Sequence, residues 1–335
     1  MATKTRWLFG LALTAIACGL FFYVSRSFFE TDKSENVVRV LAYSSFTSSW
    51  GPGPEIVKMF EAAKPGVKVV LLQAEDAGLL LAKMRSFPAD VVLGFDQLGR
   101  GLAIKSEKWR AHGINGSRFS DAKFLAFDWA PLGFIYREGE IKPPKDFDDL
   151  LDLRFEGRIA LQDPRSSSPG FQFLNWLVVS MGEEKAFEYL RQLKPNVHSM
   201  SGSWSQAYGI FTRGLAKVTF GYQTSILYHR LSEKDERYRF VKFPATESSR
   251  QPVQVEFAAI PEACGRCDLA AEFMRFLIEP DVQSVIMNKN WMLPVTASAA
   301  KGTPFEPLMI SEAPSKIGNQ DNVEAMLKRW REAVL

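Results

Sequence analysis

The sequence predicts an α/β protein of two lobes with a cleft between them. Three observations predict it: Val-, Ile- and Leu-rich runs alternate with helical ones, the alternation occurs in two separate sections, and 335 residues are more than one ordinary core accounts for. In the first section Val37-Val38-Arg39-Val40-Leu41-Ala42 reads as a strand. It is followed by a helix from Pro54, a strand over 67–72, a helix from Gly78 and a strand over 90–93. This βαβ rhythm predicts a mostly parallel sheet with covering helices. Pro54 suits a first helical turn, and Ile56, Met59, Phe60 and Ala63 form one apolar stripe. The second section begins near Phe127, with strands over 158–162, 217–222 and 253–260 and helices over 169–181, 183–193 and 204–211. Ser203 and Gln206 have capping-box spacing at the last of these helices. Three more helices are expected over 268–278, 280–287 and 322–334, so the chain crosses between the lobes twice.

Composition narrows the function. The chain is 46% hydrophobic and 24% charged with a net charge of +3, and it has no polybasic surface for nucleic acid. Residues 7–24 (WLFGLALTAIACGLFFYV) carry no charge, follow Lys4 and Arg6, and are long enough to cross a bilayer. The upstream positive charge sends everything after this run across the membrane. An uncleaved anchor, a cleaved signal and a lipid on Cys18 all give that outcome, and residues 37–335 are expected to be extracytoplasmic. Cys264 and Cys267 then read as a short local disulfide, since a lone C-x-x-C without nearby His makes a poor zinc site.

The catalytic inventory is thin. His112, His198 and His229 have no ligand-type spacing, and no nucleophile-elbow, Walker or dinucleotide motif appears. Binding motifs are richer. QDPRSSSPG (162–170) lies between a strand and a helix, where Ser168 is placed to cap, Pro169 opens the helix, and free amides suit an anion such as phosphate; a plain serine cap accounts for it equally. SWGPGP (49–54) fixes a tight loop that leaves Trp50 near Tyr43 at the carboxyl end of the first strand. Trp204 and Trp291 also sit at element boundaries, and core packing is the default reading for these as for Trp50; Trp176 and Trp330 lie in helical stripes and read as core. Asp76, Asp96 and Asp128 each follow or break a strand, as caps or as acceptors for a cation.

Taken together, YSSFTSSWGPGP (43–54), ADVVLGFD (89–96), QDPRSSSPG, GSWSQAYG (202–209), YQTSILYH (222–229), VQVE (253–256) and NWMLPV (290–295) resemble the periplasmic thiamine-binding proteins, the receptor components of bacterial ABC importers. The resemblance spans nearly all of 37–335. It implies a type II periplasmic-binding fold of two α/β lobes joined by a hinge. We divide the chain into a signal or anchor segment with linker over 1–36, lobe 1 over 37–127 and 250–335, and lobe 2 over 128–249.

The resemblance also implies a thiamine-type ligand among Tyr43, Ser45, Trp50, Trp204, Tyr222, Tyr228 and Trp291. Asp76 would meet its amine or charge, and Ser166, Ser167 and Ser168 would hold its phosphates. No catalytic residue, metal or cofactor is implied, and the partners are a permease and its ATPase, with the membrane reached through the N-terminal segment and the receptor a monomer. Ser44 stands where relatives carry aspartate. The alternatives are another solute on the same fold, such as a polyamine, a phosphonate or iron, or a thiaminase-like transferase, which would need a cysteine nucleophile.

Overall fold

In the computed structural model the described residues, 36–244, 250–309 and 323–334, carry eleven strands. β1 (Val37–Tyr43) lies between β2 (Lys68–Ala74) and β3 (Val91–Phe95) and is parallel to both. The helix Gly53–Ala63 returns the chain from β1 to β2, which is what parallel pairing requires. Of its expected apolar stripe Ile56 and Phe60 are buried and Met59 partly so, while Ala63 in the last turn is exposed; Phe60 lies edge-on to Phe273 at 5.2 Å and to Phe276 at 5.3 Å.

Beyond β3 the expected parallel sheet gives way to a mixed one. β10 (Val253–Pro261) is antiparallel to β3, to the two-residue β4 (Trp109–Arg110) and to β5 (Phe124–Arg137). β5 is in turn antiparallel to β8 (Val218–Tyr222), β9 (Tyr238–Val241) and the short β11 (Leu293–Pro294). Parallel pairing resumes where β6 (Ile159–Gln162) lies between β8 and β7 (Val197–Ser201). The cause is the length of β5. Phe124 to Trp129 pack in one hydrophobic cluster and Leu132 and Phe134 in another, so this strand passes from one core to the other and pairs with a neighbour running the opposite way.

The first cluster holds β1, β3 and β10 with the helices Gly53–Ala63, Cys267–Leu277 and Pro280–Lys289. The second gathers β6, β8 and the helices Ser168–Met181 and Glu183–Leu193 around Phe134, Trp176, Phe220 and Phe243. Trp176 and Trp330 are buried as expected, and so are Trp109 and Trp129. The helix Val323–Val334, counted with lobe 1 from the sequence, buries Val323, Met326 and Trp330 in the second cluster, and its Arg329 pairs with Glu183 and Glu184. An amphipathic stripe states that a face is buried but not against which core.

Cys264 and Cys267 are joined by a disulfide. The apolar run 7–24, with its possible anchor, cleavage or lipid, lies outside the described residues. Among the described residues no helix is long and apolar enough to cross a membrane.

Candidate functional site

A cleft of about 740 Å³, including its open mouth, lies at the carboxyl ends of β1 and β2. Nine of the eleven residues expected at a ligand line it: Tyr43, Ser45, Trp50, Asp76, Ser168, Trp204, Tyr222, Tyr228 and Trp291. Ser166 and Ser167 do not. The Ser166 hydroxyl donates to the Gly202 carbonyl at 2.7 Å, and Ser167 is buried behind the wall. Ser167, not Ser168, is the N-cap of the helix Ser168–Met181, and its side chain makes no cap hydrogen bond. The expected capping serine is therefore displaced by one position and inactive as a cap, because Pro169 follows so closely that the helix already starts at Ser168.

The floor of the cleft is a buried polar network. Tyr43 OH donates to Glu256 Oε2 at 2.6 Å and accepts from Asn290 Nδ2 at 2.8 Å. The same amide group donates to Asp128 Oδ2 at 2.9 Å. Gln254 Nε2 donates to Glu256 Oε1 at 3.0 Å and to Tyr222 OH at 2.9 Å. Gly94 makes room for Tyr43: its φ is +111°, and a Cβ there would fall 2.3 Å from the Tyr43 ring. Burial drives the Tyr43 and Tyr222 hydroxyls well above the usual tyrosine range, with the nearby Glu256 charge adding to it. Burial likewise pushes Glu256 up to about 8.

One wall is a column of rings. Trp204 stacks on Tyr208 at 4.8 Å, Tyr208 on His229 at 5.8 Å, and His229 on Tyr238 at 3.4 Å. His229 Nδ1 lies 2.6 Å from Glu233 Oε2, and its Nε2 lies 2.8 Å from Tyr208 OH. A carboxylate only accepts, so Nδ1 carries the proton and Tyr208 OH donates to Nε2. Ser203 accepts from the Gln206 amide at 3.3 Å, which bears out the cap half of the expected box at the helix Trp204–Thr212. The opposite rim is looser. Tyr228 meets Trp291 edge-on at 5.4 Å, Trp50 is 58% exposed, and Trp291 holds a left-handed φ of 56°.

Asp76 links β2 to the start of the helix Trp204–Thr212. Its Oδ1 accepts from the Ala77 amide at 2.7 Å and its Oδ2 from the Trp204 amide at 3.0 Å. The Ser168 amide and the Ser167 hydroxyl also face this carboxyl, so the anion met by the serine loop here is Asp76. Burial raises its pKa to about 6 against these donors. Alongside, the backbones approach so closely that a Cβ on Gly78 would sit 2.3 Å from the Ser166 carbonyl oxygen. Asp96 is a cap, accepting from the Gly99 amide at 2.7 Å. Glu256, Asn290 and Tyr208 also line the cleft although no single-residue signal marked them. Glu256 and Asn290 stood inside VQVE and NWMLPV, where an acid or amide beside β-type residues was the available hint.

Residues 50–290 match the model of a family described as bacterial extracellular solute-binding protein. The thiamine-binding periplasmic protein of Escherichia coli (strain K12) is 32% identical over 89% of this chain and 93% of its own length. The protein of the same name from Haemophilus influenzae (strain ATCC 51907 / DSM 11121 / KW20 / Rd) is 30% identical over 96% of each chain. A solved structure titled periplasmic thiamin binding protein superposes with a TM-score of 0.80 at 30% identity, covering 89% of this chain and 96% of that one. The fold is that of these relatives, and this chain belongs to the bacterial extracellular solute-binding protein family.

Proposed function

We propose that the chain is the extracytoplasmic receptor of an ABC importer and that its ligand is thiamine, free or as its mono- or diphosphate. The observation that carries this reading is the pairing of an aromatic cleft with a carboxyl floor: Trp204, Tyr222, Tyr228 and Trp291 surround a space that ends on Glu256. Thiazolium is a cation and aminopyrimidine a flat heteroaromatic, so ring faces and a buried acid complement both. Ser168 lines the cleft at the start of its helix, and a phosphate there would share that helix start with Asp76. The close approach of Gly78 to Ser166 supports closure of the two sides over the ligand, the usual motion for such receptors. Delivery then requires a permease and its ATPase, and residues 7–24 would export or tether the receptor.

A thiamine-degrading role would need a cysteine nucleophile in the cleft, and Cys264 and Cys267 are bonded to each other and absent from the lining. Tryptophan fluorescence titrated with thiamine, its monophosphate and its diphosphate tests the reading. Saturable quenching is expected, and the rank order reports what a phosphate gains beside Ser168. No response to any of the three, with no heat by calorimetry at high micromolar ligand, would sink it.

A further inference from the structure

We propose that Glu256 is the residue through which this cleft selects positive charge, and that a cationic ligand enters in exchange for a proton held on the Asp128–Glu256 pair. The inference rests on the receptor reading above and goes beyond it, since it assigns the charge-reading group and a proton count.

The geometry carries it. Glu256 and Asp128 are direct partners across β10 and β5, so both side chains lie on one face of the sheet, and the register shifts immediately after Glu256. Like charges directly opposite each other are destabilising even at a surface, and here the residues are 4% and 0% exposed. Among the described residues neither carboxyl has an ion-pair partner. The groups that face the pair are neutral or acidic: Tyr43 from β1, Tyr222 from β8, Gln254 from β10 itself, Asn290 after the helix Pro280–Lys289, and the carboxyls of Asp76 and Asp96. Lys289 lines the same cleft but pairs with Glu55 at 2.9 Å.

The hydrogen bonds divide the labour within the pair. Both Glu256 oxygens have partners: Oε1 accepts from Gln254 Nε2, and Oε2 faces the Tyr43 hydroxyl, which can donate to a carboxylate or accept from a protonated acid, so the network accommodates Glu256 in either state. Asp128 accepts only at Oδ2, and its buried Oδ1 has no partner, which is where a proton can reside. Asp128 thus holds a proton through the cycle, while Glu256, which alone of the two lines the cleft, is the one that ionises. Burial raises both groups, with the Glu256 charge adding to it at Asp128 and the Asp96 and Asp76 charges adding to it at Glu256, so with the cleft empty near neutral pH Glu256 is also protonated. A permanent cation above it reverses the balance: the Glu256 O–H bond breaks, the proton passes to buffer, and the carboxylate remains as counter-ion. The ligand class is a flat heteroaromatic ring with a fixed positive charge, which has no proton of its own to lose.

The test is calorimetry of the full chain with thiamine at pH 7 in two buffers of different ionisation enthalpy. Release of up to about one proton per thiamine is expected, with affinity rising up to about tenfold per pH unit between about 6 and 8. Glu256→Gln keeps the shape and should lose both the release and about 10- to 100-fold in affinity for thiamine. Thiochrome, a neutral relative of similar outline, should bind the wild type and Glu256→Gln within about threefold of each other, which also verifies the fold of the variant. Should Glu256→Gln fail to bind thiochrome, Asp128→Asn takes its place: Asp128 is already neutral, so a neutral amide there should leave thiamine binding and the proton release from Glu256 close to wild type. Wild-type binding of thiamine without buffer dependence overturns the inference and leaves the receptor reading standing. So does release that is unchanged in Glu256→Gln, which would assign the proton to Asp76, or release that is lost in Asp128→Asn, which would assign it to Asp128. Absence of thiamine binding by the wild type overturns the receptor reading itself.

Discussion

The two sides of the cleft are built on different principles. On the Trp204 side every ring is fixed by another: Tyr208 is stacked on Trp204 and hydrogen-bonded to His229, His229 is held by Glu233 and stacked on Tyr238, and Tyr238 OH accepts from Arg137 at 2.7 Å. On the rim, Trp50 and Tyr228 are 58% and 38% exposed, and Trp50 has no ring partner among the described residues. The pinned wall has met its ordering cost during folding, whereas the rim meets that cost when ligand arrives. A binding surface thus combines a preorganised face, which sets orientation, with an adaptable one, which completes enclosure.

The largest effect expected is at the seam between the sides. Gly78→Val places a side chain against the Ser166 carbonyl and should hold the two sides apart, lowering thiamine affinity about 100-fold with little change in melting temperature. Calorimetry with scattering in the absence and presence of ligand checks it, and normal affinity would show that closure is not needed. Trp204→Ala removes the ring at the head of the pinned column and should cost about 2 kcal/mol of binding, roughly 30-fold, by fluorescence titration.

His229→Leu tests the pinning from behind. It leaves Tyr208 OH and Glu233 without their partner and should cost about 2 kcal/mol of stability in urea unfolding. The effect carries a pH signature. Burial depresses the His229 pKa below its ordinary 6.5, so the stabilisation from the neutral ring is complete above pH 6.5 and is lost as pH falls toward the folded value. The gap between wild type and His229→Leu should therefore narrow between pH 7 and 5, and a constant gap would remove the titration argument. Trp50→Ala should leave stability within about 0.5 kcal/mol and weaken ligand only a few-fold, as an adaptable rim predicts. The smallest effect on binding is expected from Cys264→Ser with Cys267→Ser. Loss of a four-residue loop constraint costs about 2 kcal/mol of stability, and thiamine affinity should stay unchanged because neither cysteine lines the cleft.

Much of this was legible in local pattern. The helix Glu183–Leu193 and the start of Pro280–Lys289 follow from apolar spacing and proline placement. Position at element ends left Trp50, Trp204 and Trp291 open between core and cleft, and only the family resemblance pointed them at a ligand, whereas Trp176 and Trp330 read as core from their helical stripes. The serine loop shows where local reading stops. Three consecutive serines before a proline are equivalent in sequence, yet only Ser168 reaches the cleft, because the path of the chain turns Ser166 toward Gly202 and buries Ser167.

The sequence by itself determined most element types, because periodicity, capping and turn chemistry act over a few residues, while the family and the aromatic residues of the cleft came from the resemblance of its motifs. Tertiary structure alone decided that the sheet is mixed, that Val323–Val334 packs in the second cluster, and that Asp128 faces Glu256. Each of these depends on strand register or on the choice between two apolar surfaces, and a pairing between distant segments is set by the energy of the whole packed molecule, which leaves no trace in the local sequence around either partner.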